Sequence, residues 1–318
     1  YGDSMKDSYG RTIDYLRLSV TDLCNLRCMY CMPEKGVHKR EHKDILSVEE
    51  IEEIVSAAVD LGVTKVRVTG GEPLVRRGIV EICRRIGAIP GVEKLCMTTN
   101  GVLLKKYAGE LFDAGVTRLN VSLDTLDPEK YTQLTRMGTL EDVLSGIDEA
   151  FRVGFDEIKI NTVLIGGVND NEIRDIAALT KDRAIHVRFI ELMPIGECAD
   201  WGPERFISNE RVLEVLPGLE EAGVSGVARI YRLPGHRGTV GLISPISSHF
   251  CPSCNRIRVT ADGRLKPCLH SAEEINLRGL HGEELRDAIS RAVYGKPRRH
   301  HLDEEKSKSA RNMNEIGG

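Results

Sequence analysis

Two kinds of hydrophobic pattern alternate along most of the chain. Short β-branched runs predict strands at 15–20, 65–69, 95–98, 119–123, 158–164 and 187–191. Apolar residues at helical spacing predict helices at 51–59, 79–86, 103–112, 140–153 and 172–179. Regular alternation of strand and helix predicts a parallel sheet covered by helices.

The first predicted helix has signals at both ends. Ser47 and Glu50 have the spacing of a capping box, in which each side chain accepts a hydrogen bond from the backbone N–H of the other residue. Gly62 follows the last apolar position and predicts the end of the helix. The position of this helix therefore rests on more than its hydrophobic period.

The number of strands decides which barrel is expected. Six predicted strands, rather than eight, favour an α/β fold with an incomplete (β/α)6 TIM-like barrel, which binds ligands at the C-terminal ends of its strands. A Rossmann-like open sheet is the alternative that the pattern leaves open.

The pattern changes after Pro194. Gly, Pro and short alternating runs at 224–248 predict an extension that contains a hairpin, and the stretch 283–293 is amphipathic. The polar residues 296–318 predict a tail that is mobile when no ligand is bound. We therefore expect two domains, a partial barrel over 1–222 and an extension over 223–318.

Composition narrows the class of protein. Hydrophobic residues make up 41% of the 318 residues, which excludes global disorder. The net charge of −4 argues against a broadly basic nucleic-acid surface but allows a small basic pocket. No apolar run reaches the roughly 18 residues of a membrane span, and the start lacks the apolar region of a signal peptide. We expect a cytoplasmic protein, or a mitochondrial matrix protein if the source is eukaryotic.

The chain has nine cysteines. The odd number excludes complete disulfide pairing, and clustered thiols in a chain of this size usually bind metal. Six thiols form two tight groups, namely Cys24, Cys28 and Cys31, then Cys251, Cys254 and Cys268. The other three are predicted to be packing residues, namely Cys83, Cys96 and Cys198.

The first cysteine group has C-x3-C-x2-C spacing just after the first predicted strand. Three thiolates there favour a [4Fe-4S] cluster with one iron left open for another ligand. A zinc site completed by His38 is the alternative.

The second group has C-x2-C-x13-C spacing and again lacks a fourth cysteine. A structural zinc site that uses His249 or His270 is the alternative. Arg256 and Arg258 follow the second thiol, and strand alternation places both on one face beside the metal. Two guanidinium groups in that position favour the binding of phosphate or a polar ring.

The first group, with an aromatic residue before its last cysteine, resembles the signature of radical S-adenosylmethionine (radical SAM) enzymes. The resemblance implies that the open iron chelates S-adenosylmethionine and that an electron cleaves the carbon–sulfur bond to give a 5′-deoxyadenosyl radical. Gly70-Gly71-Glu72-Pro73 is similar to the loop that contacts the methionine amino group in that family. The implied contacts to S-adenosylmethionine are Tyr30, Gly71, Ser122 and Met193.

Nearly the whole chain resembles the GTP 3′,8-cyclase family of molybdenum cofactor biosynthesis. The resemblance runs from Tyr9-Gly10-Arg11 through Arg188-Phe189-Ile190-Glu191-Leu192-Met193-Pro194 to Gly317-Gly318. It implies two [4Fe-4S] clusters, with the guanine of GTP on the open iron of the second. The implied GTP contacts are Arg17, Arg67, Thr98, Lys159, Arg256 and Arg258.

The resemblance also implies the reaction. The deoxyadenosyl radical takes a hydrogen atom from the ribose C3′ of GTP, the carbon radical attacks C8 of guanine, and an electron and a proton complete 3′,8-cyclo-7,8-dihydro-GTP. Arg256, Arg258, Gly317 and Gly318 are implied to act in catalysis. Glycines can enter a site where any Cβ would clash.

Partners follow from the same resemblance. We expect an electron donor such as flavodoxin or ferredoxin, with cyclic pyranopterin monophosphate synthase and a homodimer as further candidates, and neither a nucleic-acid polymer nor a membrane. Two other functions stay open at this point. One is a radical SAM enzyme that modifies a peptide with an auxiliary cluster, and the other is a zinc-stabilised nucleotide-binding protein without catalysis.

Overall fold

The computed structural model describes residues 4–248, 250–302 and 306–317. Its first part alternates strands and helices, in the order β1 (Tyr15–Ser19), α1 (Val48–Asp60), β2 (Lys65–Thr69), α2 (Ile79–Ala88), β3 (Lys94–Thr99), α3 (Leu104–Asp113), β4 (Arg118–Ser122), α4 (Pro128–Thr135), α5 (Leu140–Val153), β5 (Ile158–Leu164), α6 (Ile173–Ala177) and β6 (Ile185–Glu191). The second part contains α7 (Glu210–Val215), β7 (Glu220–Ser225), β8 (Ala228–Arg232), β9 (Val240–Ile243), β10 (Arg256–Val259), β11 (Arg264–Lys266), β12 (Ile275–Asn276), α8 (Gly282–Tyr294) and α9 (Met313–Ile316).

The strands of the described residues form one mixed sheet of 12 strands, in the order β12-β11-β10-β1-β2-β3-β4-β5-β6-β9-β8-β7. From β10 to β9 in this order, neighbouring strands are parallel. The run from β1 to β6 never reverses, which confirms the barrel-type order and excludes the Rossmann-like alternative. The sheet ends at two edge strands, β12 and β7, so the barrel is incomplete, as predicted.

The C-terminal part of the chain adds strands to both edges of the six-stranded run. β9 pairs with β6 and β10 pairs with β1, both in parallel. The expected hairpin is present as the antiparallel pair β7 and β8. The extension therefore continues the barrel sheet, a pairing that the sequence pattern did not predict. The same sheet runs through the expected domain boundary near residue 222, and that boundary stays a prediction.

Side chains along the barrel strands alternate between two environments. Apolar residues such as Leu16, Leu18 and Val66 are buried in one core with Ile51 and Ile54 of α1. The residues between them in the sequence are mostly polar and face the barrel interior, where they line a cavity. The barrel therefore has an apolar outer layer under the helices and a polar centre.

The helix signals read from the sequence are confirmed where they were strongest. The Ser47 hydroxyl accepts a hydrogen bond from the Glu50 amide (3.1 Å), and the Glu50 carboxylate accepts one from the Ser47 amide (2.8 Å). Gly62 has a positive φ one residue after the C-cap of α1. Over the described residues, no helix combines the length and apolar character needed to cross a membrane.

Candidate active site

A cavity of about 430 Å³ lies inside the barrel and continues past the C-terminal ends of its strands. It brings together nearly all of the predicted site residues that the structure describes. Those that line it are Arg17, Cys24, Cys28, Tyr30, Cys31, Arg67, Gly71, Thr98, Ser122, Lys159, Met193, Cys251, Cys254, Arg256, Arg258 and Cys268. Gly317 contacts Arg258 at the cavity, and Gly318 lies outside the described residues.

Strand register arranges five basic side chains and Tyr15 in two adjacent rows across β2, β1 and β10. Residues two positions apart on a strand share a face, so both rows point into the barrel. The rows are Lys65, Tyr15 and Arg256, then Arg67, Arg17 and Arg258. Lys159 of β5 and Arg188 of β6 line the same cavity from other strands.

The cavity carries a large excess of positive charge, since its carboxylates are those of Glu72 and Asp124 alone among the described residues. Burial, then Arg188 and other nearby cations, lower the pKa of Lys159 to about 8. Burial and Arg256 likewise lower the pKa of Arg258 to about 10. Neighbouring cations that lower one another's pKa are stabilised by an anionic ligand with several charges.

The loop after β1 turns its three thiols into the cavity. The Cys31 amide donates to the Cys28 carbonyl (3.0 Å), and the Asn100 side-chain amide donates to the Cys24 sulfur (3.8 Å). Burial raises the pKa of Cys24 to about 11 and, with the nearby Cys24, that of Cys31 to about 12. Thiolates at these partly buried positions therefore need a bound cationic group for stability.

The second thiol group lines the same cavity. Cys251 and Cys254 lie in a short turn just before β10, and Cys268 follows β11. The Cys251 carbonyl accepts a hydrogen bond from the Arg11 guanidinium (2.8 Å), which fixes this turn to the start of the chain. Arg256 and Arg258 thus lie on the strand between the second and third thiols, as predicted.

The loops on the β2, β3 and β4 side of the cavity are tightly constrained. The Tyr30 hydroxyl donates to the Asp124 carboxylate (2.6 Å). The Glu72 carboxylate accepts from the Thr99 hydroxyl and the Asn100 amide, both at 2.6 Å, which joins the glycine-rich loop to the end of β3. Burial raises the pKa of Glu72 to about 7, although these hydrogen bonds lower it.

The tail reaches the cavity from the far end of the chain. The Gly317 carbonyl accepts a hydrogen bond from Arg258 Nη1 (2.5 Å). A Cβ at Gly317 would lie 2.5 Å from the Thr69 hydroxyl, so only glycine fits there. Upstream, Arg311 donates to both carboxylate oxygens of Glu274 (2.6 and 2.9 Å). Mobility of the tail in the absence of ligand stays a prediction.

Comparison with known proteins identifies the family. Residues 18–180 match the Radical SAM superfamily, and residues 185–302 match Molybdenum Cofactor Synthesis C. The chain is 53% identical to a GTP 3′,8-cyclase of Alkaliphilus metalliredigens, over 99% of this chain and 100% of that protein. It belongs to the GTP 3′,8-cyclase family. The resemblance read from the sequence motifs is confirmed.

Solved structures of low sequence identity share the fold of this GTP 3′,8-cyclase family member. SuiB of Streptococcus suis is 15% identical, with a TM-score of 0.63 over 91% of this chain and 68% of that one. A structure of anSMEcpe with bound AdoMet is 17% identical, with a TM-score of 0.59 over 88% of this chain and 82% of that one. The α/β barrel architecture is therefore that of radical SAM enzymes.

As a radical SAM enzyme, the protein uses S-adenosylmethionine and iron–sulfur chemistry. Its first thiol group fits a [4Fe-4S] cluster, because three half-buried thiols on one loop face a common cavity. Among the described residues, no three His, Cys, Asp or Glu side chains are placed to hold a single metal ion, whereas a four-iron cluster attaches each thiolate to a different iron. His38 is exposed, and His249 lies outside the described residues.

Several residues that line the cavity were not predicted from the sequence, although the two-residue period of a strand points to some of them. Tyr15 and Lys65 precede Arg17 and Arg67 by two positions, and Asn161 follows Lys159 by two, so each shares a strand face with a predicted site residue. Extending the period of two along each strand would have found them. The other cavity residues missed include Asn120, Asp124, Arg188, Lys296 and His300.

Gly71→Ala is expected to weaken S-adenosylmethionine binding at least about tenfold. A Cβ at this position would lie 2.6 Å from the Asp22 carbonyl oxygen and closer still to that of Leu23, so the loop that leads to Cys24 must move. Equilibrium dialysis with labelled S-adenosylmethionine measures the change. Gly109→Ala is the control, because its Cβ would meet only the Val153 side chain at 3.8 Å in a helix that alanine favours. Unchanged affinity in Gly71→Ala would contradict the close approach.

Proposed function

We propose that this protein converts GTP to (8S)-3′,8-cyclo-7,8-dihydroguanosine 5′-triphosphate, the first step of molybdopterin (molybdenum cofactor) biosynthesis. One observation carries the proposal, namely that both thiol groups and two rows of basic side chains line a single cavity. A reaction between S-adenosylmethionine and a nucleoside triphosphate needs these groups side by side.

The thiol groups would each hold one [4Fe-4S] cluster, the first by Cys24, Cys28 and Cys31 and the second by Cys251, Cys254 and Cys268. When bound, the first cluster supplies the electron that cleaves S-adenosylmethionine and so generates the 5′-deoxyadenosyl radical. Around that cluster, four residues position S-adenosylmethionine, namely Tyr30, Gly71, Ser122 and Met193. The Tyr30 ring is held in place by its hydrogen bond to Asp124.

The basic rows bind the substrate in this proposal. Arg17, Arg67 and Lys159 hold the triphosphate, with Thr98 as a neutral contact. Arg256 and Arg258 lie next to the second thiol group and so act near the guanine base. Gly317 closes the site beside Arg258. Gly318, which lies outside the described residues, acts with it in this proposal, and the cavity walls keep water from the carbon radical.

The partners in this proposal follow from the reaction. An electron donor such as flavodoxin or ferredoxin reduces the enzyme, and cyclic pyranopterin monophosphate synthase takes the product. A homodimer and a cytoplasmic location, or the mitochondrial matrix in a eukaryote, complete the proposal.

An anaerobic assay tests the proposal directly. The protein with reconstituted clusters is mixed with dithionite, S-adenosylmethionine and each nucleoside triphosphate in turn, and 5′-deoxyadenosine and cyclised nucleotide are measured by mass spectrometry. Cyclisation of GTP alone is the expected result. If GTP gives no cyclised product while another nucleotide or a peptide is modified, the substrate is wrong.

A further inference from the structure

Tyr15 lies at the centre of the basic rows and has no part in the function described so far. Its side chain is buried, at 4% exposure, in the row that contains Lys65 and Arg256. Its phenol oxygen accepts hydrogen bonds from Arg67 Nε (2.5 Å) and from Arg17 Nη1 (3.3 Å). One side chain is therefore the shared acceptor for two guanidinium groups of the cavity.

The ring of Tyr15 is surrounded as closely as its oxygen. Lys65 Nζ lies 4.3 Å from the ring centroid, and the guanidinium carbon of Arg256 lies 5.4 Å from it. Cations at these distances are attracted by the face of an aromatic ring. Within the described part of the chain, no carboxylate forms an ion pair with Lys65, Arg67 or Arg256. Tyr15 therefore takes the place that an acidic residue would usually have.

We propose that Tyr15 is a positioning residue of the triphosphate site, which holds Arg67 and Arg17 ready for the phosphates and takes up a proton when the triphosphate binds. The identity of the nucleotide rests on the proposed function, but the role of Tyr15 requires only a polyphosphate in this cavity. No covalent step is involved, and the proton comes from the solvent.

The cations around Tyr15 favour its phenolate form when no ligand is bound. Burial alone would raise the pKa of the Tyr15 phenol, but Arg17 on β1, Arg67 and Lys65 on β2 and Arg256 on β10 lower it to about 7. Without ligand at pH 8, the phenolate is therefore the counter-ion of these cations. A bound triphosphate neutralises the same cations, so the phenolate loses its stabilisation and binds a proton.

Proton uptake makes the affinity for triphosphate depend on pH. Because the complex holds one more proton than the free protein, triphosphate affinity falls as pH rises above about 7. Lys159, whose pKa is lowered to about 8, adds a similar dependence that is independent of Tyr15. Tyr15→Phe removes the pH dependence that comes from Tyr15 and keeps that of Lys159. The difference in affinity between wild type and Tyr15→Phe at each pH therefore measures the contribution of the Tyr15 phenol.

Isothermal titration calorimetry provides the test. Inorganic triphosphate and GTP are each titrated into the anaerobic holoenzyme from pH 6.5 to 9, in buffers of different ionisation enthalpy. At pH 6.5 we expect Tyr15→Phe to bind about tenfold more weakly, because the guanidinium groups lose their acceptor. At pH 9 the gap should close, and near pH 8 the wild type should take up close to one proton more than the variant.

Equal proton uptake by wild type and Tyr15→Phe would overturn the inference, as would an affinity loss that is the same at every pH. Tyr231→Phe is the matched control, since Tyr231 is a buried tyrosine of β8 whose hydroxyl has no hydrogen-bond partner among the described residues. It should match the wild type throughout.

One further variant and one comparison of results separate the remaining explanations. If Tyr15→Phe does not fold, 3-fluorotyrosine at position 15 keeps both hydrogen bonds and should move proton uptake to lower pH, whereas an unmoved profile would reject the inference. Tyr15-dependent proton uptake with inorganic triphosphate, in a protein that does not cyclise GTP, would reject the proposed function alone. Cyclisation of GTP without Tyr15-dependent uptake would reject this inference alone.

Discussion

Arg258→Ala is expected to reduce cyclisation of GTP at least about a hundredfold while 5′-deoxyadenosine still forms and iron content is unchanged. Arg258 is 8% exposed, lies in the row of Arg17 and Arg67, and donates to the Gly317 carbonyl. Alanine removes both the cation and the contact that holds the tail in the site. Each charge-assisted hydrogen bond contributes about 1.5–3 kcal/mol, so losing the one to Gly317 and one to the substrate reduces cyclisation at least about a hundredfold.

The measurement compares cyclised nucleotide, 5′-deoxyadenosine, iron and sulfide in the same preparation. Arg264→Ala is the matched control, because Arg264 is an exposed arginine on the neighbouring strand β11 and does not line the cavity. It should retain wild-type cyclisation. Wild-type turnover in Arg258→Ala would show that neither the cation nor the tail contact acts in the reaction. Loss of iron in that variant would instead show that Arg258 supports the second thiol group.

The extent to which the fold could be predicted depends on how local each signal is. The capping box at Ser47 and the β-branched runs of β1 to β6 are local signals. They predicted α1 and the six strands at the correct positions. α4 was missed although Asp127 caps it by accepting from two backbone amides and Pro128 occupies its first turn. Its short apolar pattern gave too little periodicity for recognition.

The pairing of β9 with β6 and of β10 with β1 had no local signal. These strands have only four residues each, and their partners are distant in the sequence. An unpaired barrel edge is what stabilises them, and that edge exists only after the barrel has formed. Gly241 illustrates the same limit. A Cβ there would lie 2.8 Å from Arg188 Nε, a constraint that becomes visible only when β9 lies beside β6.

The candidate site was more predictable than the fold around it, because its chemistry is concentrated in motifs. The cysteine spacings and the arginines at 256 and 258 identified both thiol groups and one basic strand. Tyr15, which lies between Lys65 and Arg256 in one of the two rows, was not identified as a site residue. A tyrosine at the start of a strand is ordinarily a packing residue. Its significance comes from three cation-bearing strands that meet only in the folded protein.

Cys28→Ala is expected to remove all cleavage of S-adenosylmethionine and about half of the iron, if each thiol group holds one cluster. The Cys28 thiol lines the cavity, and desolvation, then Cys31, Asp124 and Cys24, raise its pKa well above the usual value. Two remaining thiols on the loop cannot replace the third ligand of a cube. Iron and sulfide analysis, absorbance near 400 nm and 5′-deoxyadenosine formation measure the loss.

Cys83→Ala is the control for removal of a buried sulfur. Cys83 lies on α2 in the hydrophobic core and is fully buried, away from the cavity. Its replacement should leave iron content and turnover unchanged and lower the free energy of unfolding by about 1 kcal/mol through a small cavity.

Full iron and full 5′-deoxyadenosine formation in Cys28→Ala would contradict ligation by the first group. Stoichiometric zinc without sulfide in the wild type would contradict iron–sulfur chemistry at both groups. A cluster-bound Cys28 and a core-packed Cys83 therefore predict opposite results from the same chemical change.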